Sequence, residues 1–263
     1  MSASWFGCIF DCDGVIIDSA TPHIEAWKAL ALEENLDFPE KLFKQSFGMK
    51  NEQIIPQLFQ WTRDVSEIRR LDARKEHLYR EMIRCGGARS FPGVADFLEM
   101  LRGQEIPCVI GSSASRANVE VTLDVLGFSG YFQSIVCGDD VAAGKPDPQI
   151  FLFAARALGL RPADCVVFED AYVGIAAARA GGMKVVAVAN TYPRSSLGEA
   201  DCVVERLDEL TLTMLRQLFE PAGPTSEARE LPFAANKPVQ TAEGSIPRAK
   251  EHFARRGSEF FTR

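Results

Sequence analysis

The stretch Cys8-Ile9-Phe10-Asp11-Cys12-Asp13-Gly14-Val15 constrains the fold of this chain more than any other. Three apolar residues run into two carboxylates one residue apart, and a glycine follows. The apolar run reads as a short buried strand, and Asp-Gly marks a tight turn at its end. In an open α/β sheet, ligands bind beyond the carboxyl ends of the strands. Asp11 and Asp13 are therefore expected at that edge. A plain polar turn accounts for such a stretch equally well when it is taken alone. A calcium loop does not, because an EF-hand needs glycine at its sixth position and glutamate at its twelfth. Counted from Asp11, those positions hold Ile16 and Pro22. A helix cap accounts for one Asp, not two.

The remainder supplies the sheet. Apolar runs at Trp5–Phe10, Cys108–Gly111, Ser134–Cys137, Asp164–Phe168 and Lys184–Val188, with a short one near Cys202–Val204, alternate with helical patterns at about 94–102, 115–126, 148–158 and 172–180. Strands alternating with helices predict a Rossmann-like, doubly wound parallel sheet. Between 18 and 92 the periodicity is helical: from Thr21, where Ile24, Trp27, Leu30 and Ala31 share a face, and again at Leu42–Phe47, Glu52–Trp61 and Val65–Cys85, with Gly48 as a break. The expected organisation is an α/β core of residues 1–17 and 93–219, interrupted after its first strand by a helical cap of residues 18–92. After Phe219 the chain turns polar and rich in Pro and Gly, so 220–263 is expected to be a mostly disordered tail. A short helix near Pro247–Phe260 would offer Phe253, Phe260 and Phe261 for docking.

Charge and cysteine content narrow the function. The net charge of −7 argues against a nucleic-acid-binding face. It also means that an anionic phosphate could be held only by a local positive device. Seven cysteines, most of them in strand-like runs and none in a CxxC pair, suit reduced thiols rather than a disulfide framework. No apolar run is long enough to span a membrane. The first strand is expected close to Met1, so no targeting peptide is expected within this sequence. The expected setting is cytoplasmic, or the plastid stroma if an N-terminal address is missing, and the expected state a monomer or weak homodimer.

Four strand ends carry candidate chemistry: Asp11 and Asp13; Ser112 and Ser113; Lys145 in Gly144-Lys145-Pro146-Asp147-Pro148; and Glu169-Asp170, followed by Gly174. Each alone has an ordinary explanation. Lys145 could be a surface lysine, Ser112 a helix cap, and Asp147 an N-cap with proline at the first helical position. Together they place up to four carboxylates against one lysine. Two like charges about 4 Å apart repel by about 4 kcal/mol at an effective dielectric of about 20. Such a cluster must protonate or hold a cation. All-oxygen ligands select a hard ion, and Mg²⁺ typically takes one or two carboxylates together with substrate phosphate and water.

Asp11-Cys12-Asp13-Gly14-Val15, Ser112, Lys145-Pro146 and Glu169-Asp170 resemble the four signature motifs of the haloacid dehalogenase-like hydrolase superfamily, over residues 5–219. Asp18-Ser19, His23 and Trp27, with the small helical cap, resemble its β-phosphoglucomutase and sugar-phosphatase branch. Trp5-Phe6-Gly7, residues 48–53, 69–76 and 205–210 are similar to the plant plastid 5-amino-6-(5-phospho-D-ribitylamino)uracil phosphatases of riboflavin synthesis. The resemblance implies a Mg²⁺-dependent phosphatase acting on a small phosphorylated metabolite. Asp11 would be the nucleophile, Asp13 the general acid and base, Ser112 a hydrogen-bond donor to the phosphoryl group, and Lys145 its counter-charge. Asp11, the Asp13 carbonyl, Asp170 and Glu169 would hold the metal. His23, Lys50, Asn51 and Ser113 would meet the substrate. Mutases of the branch generally place an arginine near the position of Asn51, and its absence favours hydrolysis over isomerisation. Trp27 reads as core. Cys12 lies between two acids that disfavour its thiolate, against a redox role. The alternatives are a phosphomutase and a catalytically weak binding or regulatory protein.

Overall fold

The computed structural model describes residues 5–43 and 49–220. Six strands form one sheet: β1 Gly7–Phe10, β2 Cys108–Ser112, β3 Ser134–Cys137, β4 Cys165–Glu169, β5 Lys184–Val188 and β6 Cys202–Val204, in the order β3-β2-β1-β4-β5-β6. Every pairing is parallel, with Phe10 opposite Ile110 on one side and Phe168 on the other. All four β1 residues are buried. A central parallel strand is covered on both faces, and this is why its sequence is apolar without alternation.

The two faces feed separate apolar layers. Phe10 points into one, stacking on Phe168 at 4.5 Å between ring centroids and meeting Phe97 edge-on. Phe97 comes from α5 (Val94–Gly103), and this layer continues through Val119, Leu123 and Leu215. Ile9 points into the other layer, with Phe151, Ala154 and Ile175. The helices there are α7 (Gln149–Ala157) and α8 (Tyr172–Ala180), while α6 (Arg116–Leu126) and α9 (Leu212–Gln217) serve the first face. The strand order reverses between β1 and β4. That is the topological switch point where open sheets bind ligands, and Asp11 and Glu169-Asp170 lie at its two rims. The first strand is shorter than the expected Trp5–Phe10, because pairing begins only at Gly7. Trp5 instead packs edge-on against Phe6 and Phe219.

Between β1 and α5 the chain is helical: α1 (Ala20–Glu33), α2 (Glu40–Phe43), α3 (Asn51–Gln53) and α4 (Val65–Met82). Asp64 caps α4 by accepting a 2.9 Å bond from the Glu67 N–H. Trp27, Leu30, Leu71 and Leu78 bury the seam between α1 and α4. Arg70–Glu34 and Arg74–Glu33 pairs edge it, and exposed pairs of this kind contribute little beside the packing. Trp27 is core, as expected, and meets Phe59 and Trp61. The helix expected over Glu52–Trp61 breaks down into α3 and a wide turn at Ile54–Leu58, closed by Phe59 N–H to the Ile54 carbonyl at 2.8 Å. Pro56 lacks the N–H that a regular helix needs there.

The two crossings between the sheet and these helices run side by side. Asp18 N–H donates to the Arg89 carbonyl at 2.9 Å and Phe91 N–H to the Ile16 carbonyl at 3.2 Å, around an antiparallel bridge of Ile17 and Ser90. The expected break at Gly48, most of the expected helix at Leu42–Phe47, and the tail beyond Glu220 lie outside the described residues. No described helix is long and apolar enough to cross a membrane.

Candidate active site

Asp11 follows β1 directly, and its N–H donates to the Phe168 carbonyl at 3.0 Å, which fixes it across the β1–β4 crevice. Glu169 ends β4 and Asp170 follows. Lys145 arrives from the loop before α7. Its ammonium lies 3.0 Å from Asp11 Oδ1 and 2.7 Å from Glu169 Oε1, and all three side chains are almost wholly buried. Carboxylate oxygens of Asp11, Glu169 and Asp170 lie within 4.8 Å of one another. Four of the expected residues thus meet at the switch point.

Two glycines make room for this crowding. Gly14 has φ +82°, a left-handed turn that glycine adopts without strain, and a Cβ there would fall 2.0 Å from Asp170 Oδ2. A Cβ on Gly174 would fall 1.7 Å from Glu169 Oε1. Glu169 is heavily engaged: Oε1 accepts from Lys145, and Oε2 accepts from the Asp170 and Ala171 N–H groups at 2.8 and 2.7 Å. It has fewer lone pairs left for an ion than Asp11 or Asp170.

The electrostatics follow from burial. Desolvation pushes the Asp11 carboxyl up to about 7; Lys145 pulls it down, while Glu169 and Asp13 add to the rise. Asp170 is raised well above the usual range, first by burial and then by Glu169 and Asp11. Burial works against the Lys145 charge, but Asp11 and Glu169 outweigh it and hold the ammonium firmly protonated. Among the described residues, three carboxylates therefore share one ammonium. Asp11 Oδ1 lies in this buried centre, with the Lys145 ammonium at 3.0 Å as its counter-charge. An oxygen-only donor set with excess negative charge fits a hard divalent cation.

Asp13 stands at the turn. Burial raises its carboxyl, against a hydrogen bond from Ser19 and the charges of Lys75 and Lys145. His23 Nε2 is 3.9 Å from Asp13 Oδ1, and its ring stacks on Tyr79 at 4.1 Å. Lys75 Nζ lies 2.7 Å from His23 Nδ1. An ammonium only donates, so Nδ1 accepts and the ring proton sits on Nε2, facing Asp13. Burial, reinforced by Lys75, lowers His23 to about 3, so the ring is neutral.

Ser112, buried at the end of β2, accepts from the Ala114 N–H at 3.2 Å, and Ser113 beside it is exposed. A Cβ on Gly144 would lie 3.9 Å from Lys50 Cε, so Lys50 reaches the lysine loop. Asn51 is turned elsewhere, donating to Asp72 at 2.7 Å and Glu76 at 2.5 Å. Cys12 is buried, and burial, then Asp13 and Asp11, raise its thiol well above the usual range. Asp147 accepts from the Gln149 N–H at 2.9 Å, but the N-cap of α7 is Pro148, so the expected Asp147 cap with proline at the first helical position is displaced by one residue.

Sequence reasoning missed a buried polar network on α4. Lys75 is only 2% exposed, pairs with Glu76 at 2.8 Å, and lies over the rings of Trp27 and Tyr79. Burial would raise Glu76, but Lys75 and hydrogen bonds from Lys75 and Asn118 hold it at about 2. Asn118 on α6 bonds Glu76 and accepts from Arg80 at 2.9 Å. A run of Arg, Asp, Lys and Glu at 69–76 reads as a solvated helix face, and nothing in it signals burial.

Fold and site together define a Rossmann-like α/β protein with a carboxylate–lysine centre at the sheet's switch point. The family model described as haloacid dehalogenase-like hydrolase matches residues 7–182. The chain is 37% identical over 246 residues to the chloroplastic 5-amino-6-(5-phospho-D-ribitylamino)uracil phosphatase of Arabidopsis thaliana, covering 89% of this chain and 66% of that protein. It is 34% identical over 220 residues to the β-phosphoglucomutase of Bacillus subtilis, covering 81% and 94%. The crystal structure of the Clostridium difficile β-phosphoglucomutase superposes with a TM-score of 0.71 at 26% identity, over 83% of this chain and 97% of that one. The chain belongs to the haloacid dehalogenase-like hydrolase family and is a hydrolase.

Proposed function

We propose that this protein is a phosphatase that hydrolyses a small phosphate monoester through an aspartyl-phosphate. The observation that carries the reading is the convergence of Asp11, Lys145, Glu169 and Asp170 at the β1–β4 crevice. Asp11 attacks phosphorus, since it is the carboxylate at the centre of the cluster, directly after β1 and beside the Lys145 ammonium. Lys145 holds positive charge beside the point where phosphoryl charge accumulates, and Glu169 keeps it there. Asp13 keeps its proton more readily than a free carboxyl, which suits an acid that protonates the leaving oxygen. It then takes a proton from the water that cleaves the intermediate. The neutral His23 imidazole, with Nε2–H toward Asp13, lies on the leaving-group side. Ser112 donates to a phosphoryl oxygen. Asp11, Asp170 and the Asp13 carbonyl would hold Mg²⁺, with Glu169 at its outer edge. When bound, the ion neutralises phosphate charge and lowers the barrier to attack by a carboxylate.

In this reading the helices of 18–92 form a cap that closes over the site and excludes water. The likeness to the Arabidopsis enzyme makes 5-amino-6-(5-phospho-D-ribitylamino)uracil the first substrate to assay. The likeness to β-phosphoglucomutases supports a second reading, an isomerase that retains a bisphosphate. Asn51 argues against it, because its amide is bound to two carboxylates and so sits where a second phosphate would be repelled. Phosphate release from the ribitylaminouracil ester, sugar phosphates and phosphoglycolate should be compared in Mg²⁺. Asp11→Asn should abolish release. Near-normal turnover by that variant would refute the mechanism, and isomer formation dependent on added bisphosphate would establish the mutase.

A further inference from the structure

The loop after β5, Ala189 to Pro193, plays no part in the reaction as drawn, yet it grips two sides of the acidic cluster. Thr191 Oγ1 donates to Asp170 Oδ2. Asn190 Nδ2 donates to the Gly14 carbonyl at 2.8 Å. Gly14 is the residue whose missing Cβ lets Asp170 approach, so the two bonds secure opposite walls of one contact. The loop is itself anchored. Ala189 N–H donates to the Val204 carbonyl on β6 and Asn190 N–H to the Val188 carbonyl on β5, each at 2.9 Å. The Tyr192 ring meets that of Tyr172, which opens α8 two residues after Asp170, at 4.5 Å.

A threonine hydroxyl has one hydrogen to give. Given to Oδ2, it fixes the plane of the Asp170 carboxylate. The amide of Asn190 likewise fixes the Gly14–Val15 peptide, one peptide beyond the Asp13 carbonyl. We propose that Thr191 and Asn190 are positioning residues that preorganise the cation site, Thr191 by orienting Asp170 and Asn190 by holding the Asp13–Gly14 turn. This rests on the reading that Asp170 and the Asp13 carbonyl bind Mg²⁺. Neither residue touches a reacting atom. Loss of an outer hydrogen bond to a metal-binding carboxylate typically costs about 10–100-fold in metal affinity.

The test is calorimetric titration of Mg²⁺ into substrate-free wild type, Thr191→Val, Thr191→Ser and Asn190→Ala, with Asp170→Asn as the site control. Melting temperatures with and without Mg²⁺ provide a second readout. Wild type should bind, and Asp170→Asn should not. Thr191→Val should bind about 10–100-fold more weakly, Thr191→Ser should recover most of the loss, and saturating Mg²⁺ should restore Thr191→Val turnover. A purely structural hydroxyl would lower the metal-free melting temperature and leave Mg²⁺ affinity unchanged. Wild-type affinity in Thr191→Val, beside an intact response in wild type, would overturn the proposal alone. Absence of Mg²⁺ binding by wild type would overturn the ion site and the proposal with it. If Thr191→Val does not fold, unchanged Mg²⁺ affinity in Asn190→Ala would overturn it equally.

Discussion

Replacing Lys145 by methionine keeps most of its unbranched stem and removes its charge. The ammonium lies 3.0 Å from Asp11 and 2.7 Å from Glu169. At an effective dielectric of about 20 these pairs are worth about 5.5 and about 6 kcal/mol of attraction. Desolvation of the buried ammonium offsets most of that, and breaking a buried pair from one side typically costs about 3–5 kcal/mol. The loss should depend on pH. Asp11 already titrates at about 7 in the fold, against 3.8 for the ordinary carboxyl. Without Lys145 its pKa rises further. The folded variant then binds a proton that the unfolded chain releases, so its stability falls as pH rises. For a further rise of about two units, linkage makes the destabilisation about 1.4 kcal/mol larger at pH 8 than at pH 5.5. Urea unfolding of metal-free wild type and Lys145→Met at both pH values measures this directly. A loss below about 1 kcal/mol, or the same loss at both pH values, would refute the electrostatic account of the centre.

Two further perturbations test its surroundings. His23, lowered to about 3 from 6.5 in the free residue, lets the unfolded chain bind more protons between those values, so stability present above pH 6.5 drains away on acidification. Between pH 7 and 5 wild type should lose up to about 2 kcal/mol through this residue, and His23→Gln should lack that part of the slope; parallel urea curves would contradict the burial of a neutral imidazole. Gly174→Ala would drive a methyl group into Glu169 Oε1, so Lys145 should lose one of its two carboxylate partners, with about 2 kcal/mol of stability and most turnover; an unaffected variant would show that Glu169 does not need this approach.

The centre was legible because its parts come from the ends of buried strands. An apolar run that stops at Asp11, Ser112 or Glu169 marks both the element and the residue it delivers. The order of the strands then brings those ends together. The network behind Asp13 was not legible. Lys75 and Glu76 sit in a charged helical run, and only the packing of α4 against Trp27 and Tyr79 takes them out of water. Thr191 and Asn190 follow β5 with no pattern of their own, and their partners lie 21 and 176 residues away in the chain. Asn51 illustrates the same limit. The sequence resemblance puts it toward the substrate, but its two carboxylate partners come from a helix that begins fourteen residues later, at Val65.

The paired crossings at Ile17 and Ser90 have a consequence for how such a chain can be rebuilt. Entry and exit of the intervening helices lie one bridge apart, and the excursion is held besides by Asn118 on α6, which bonds Glu76 and Arg80. A short turn joining Ile17 to Ser90 would excise it and leave the strand order undisturbed. By the same geometry a foreign module with adjacent ends could be grafted there.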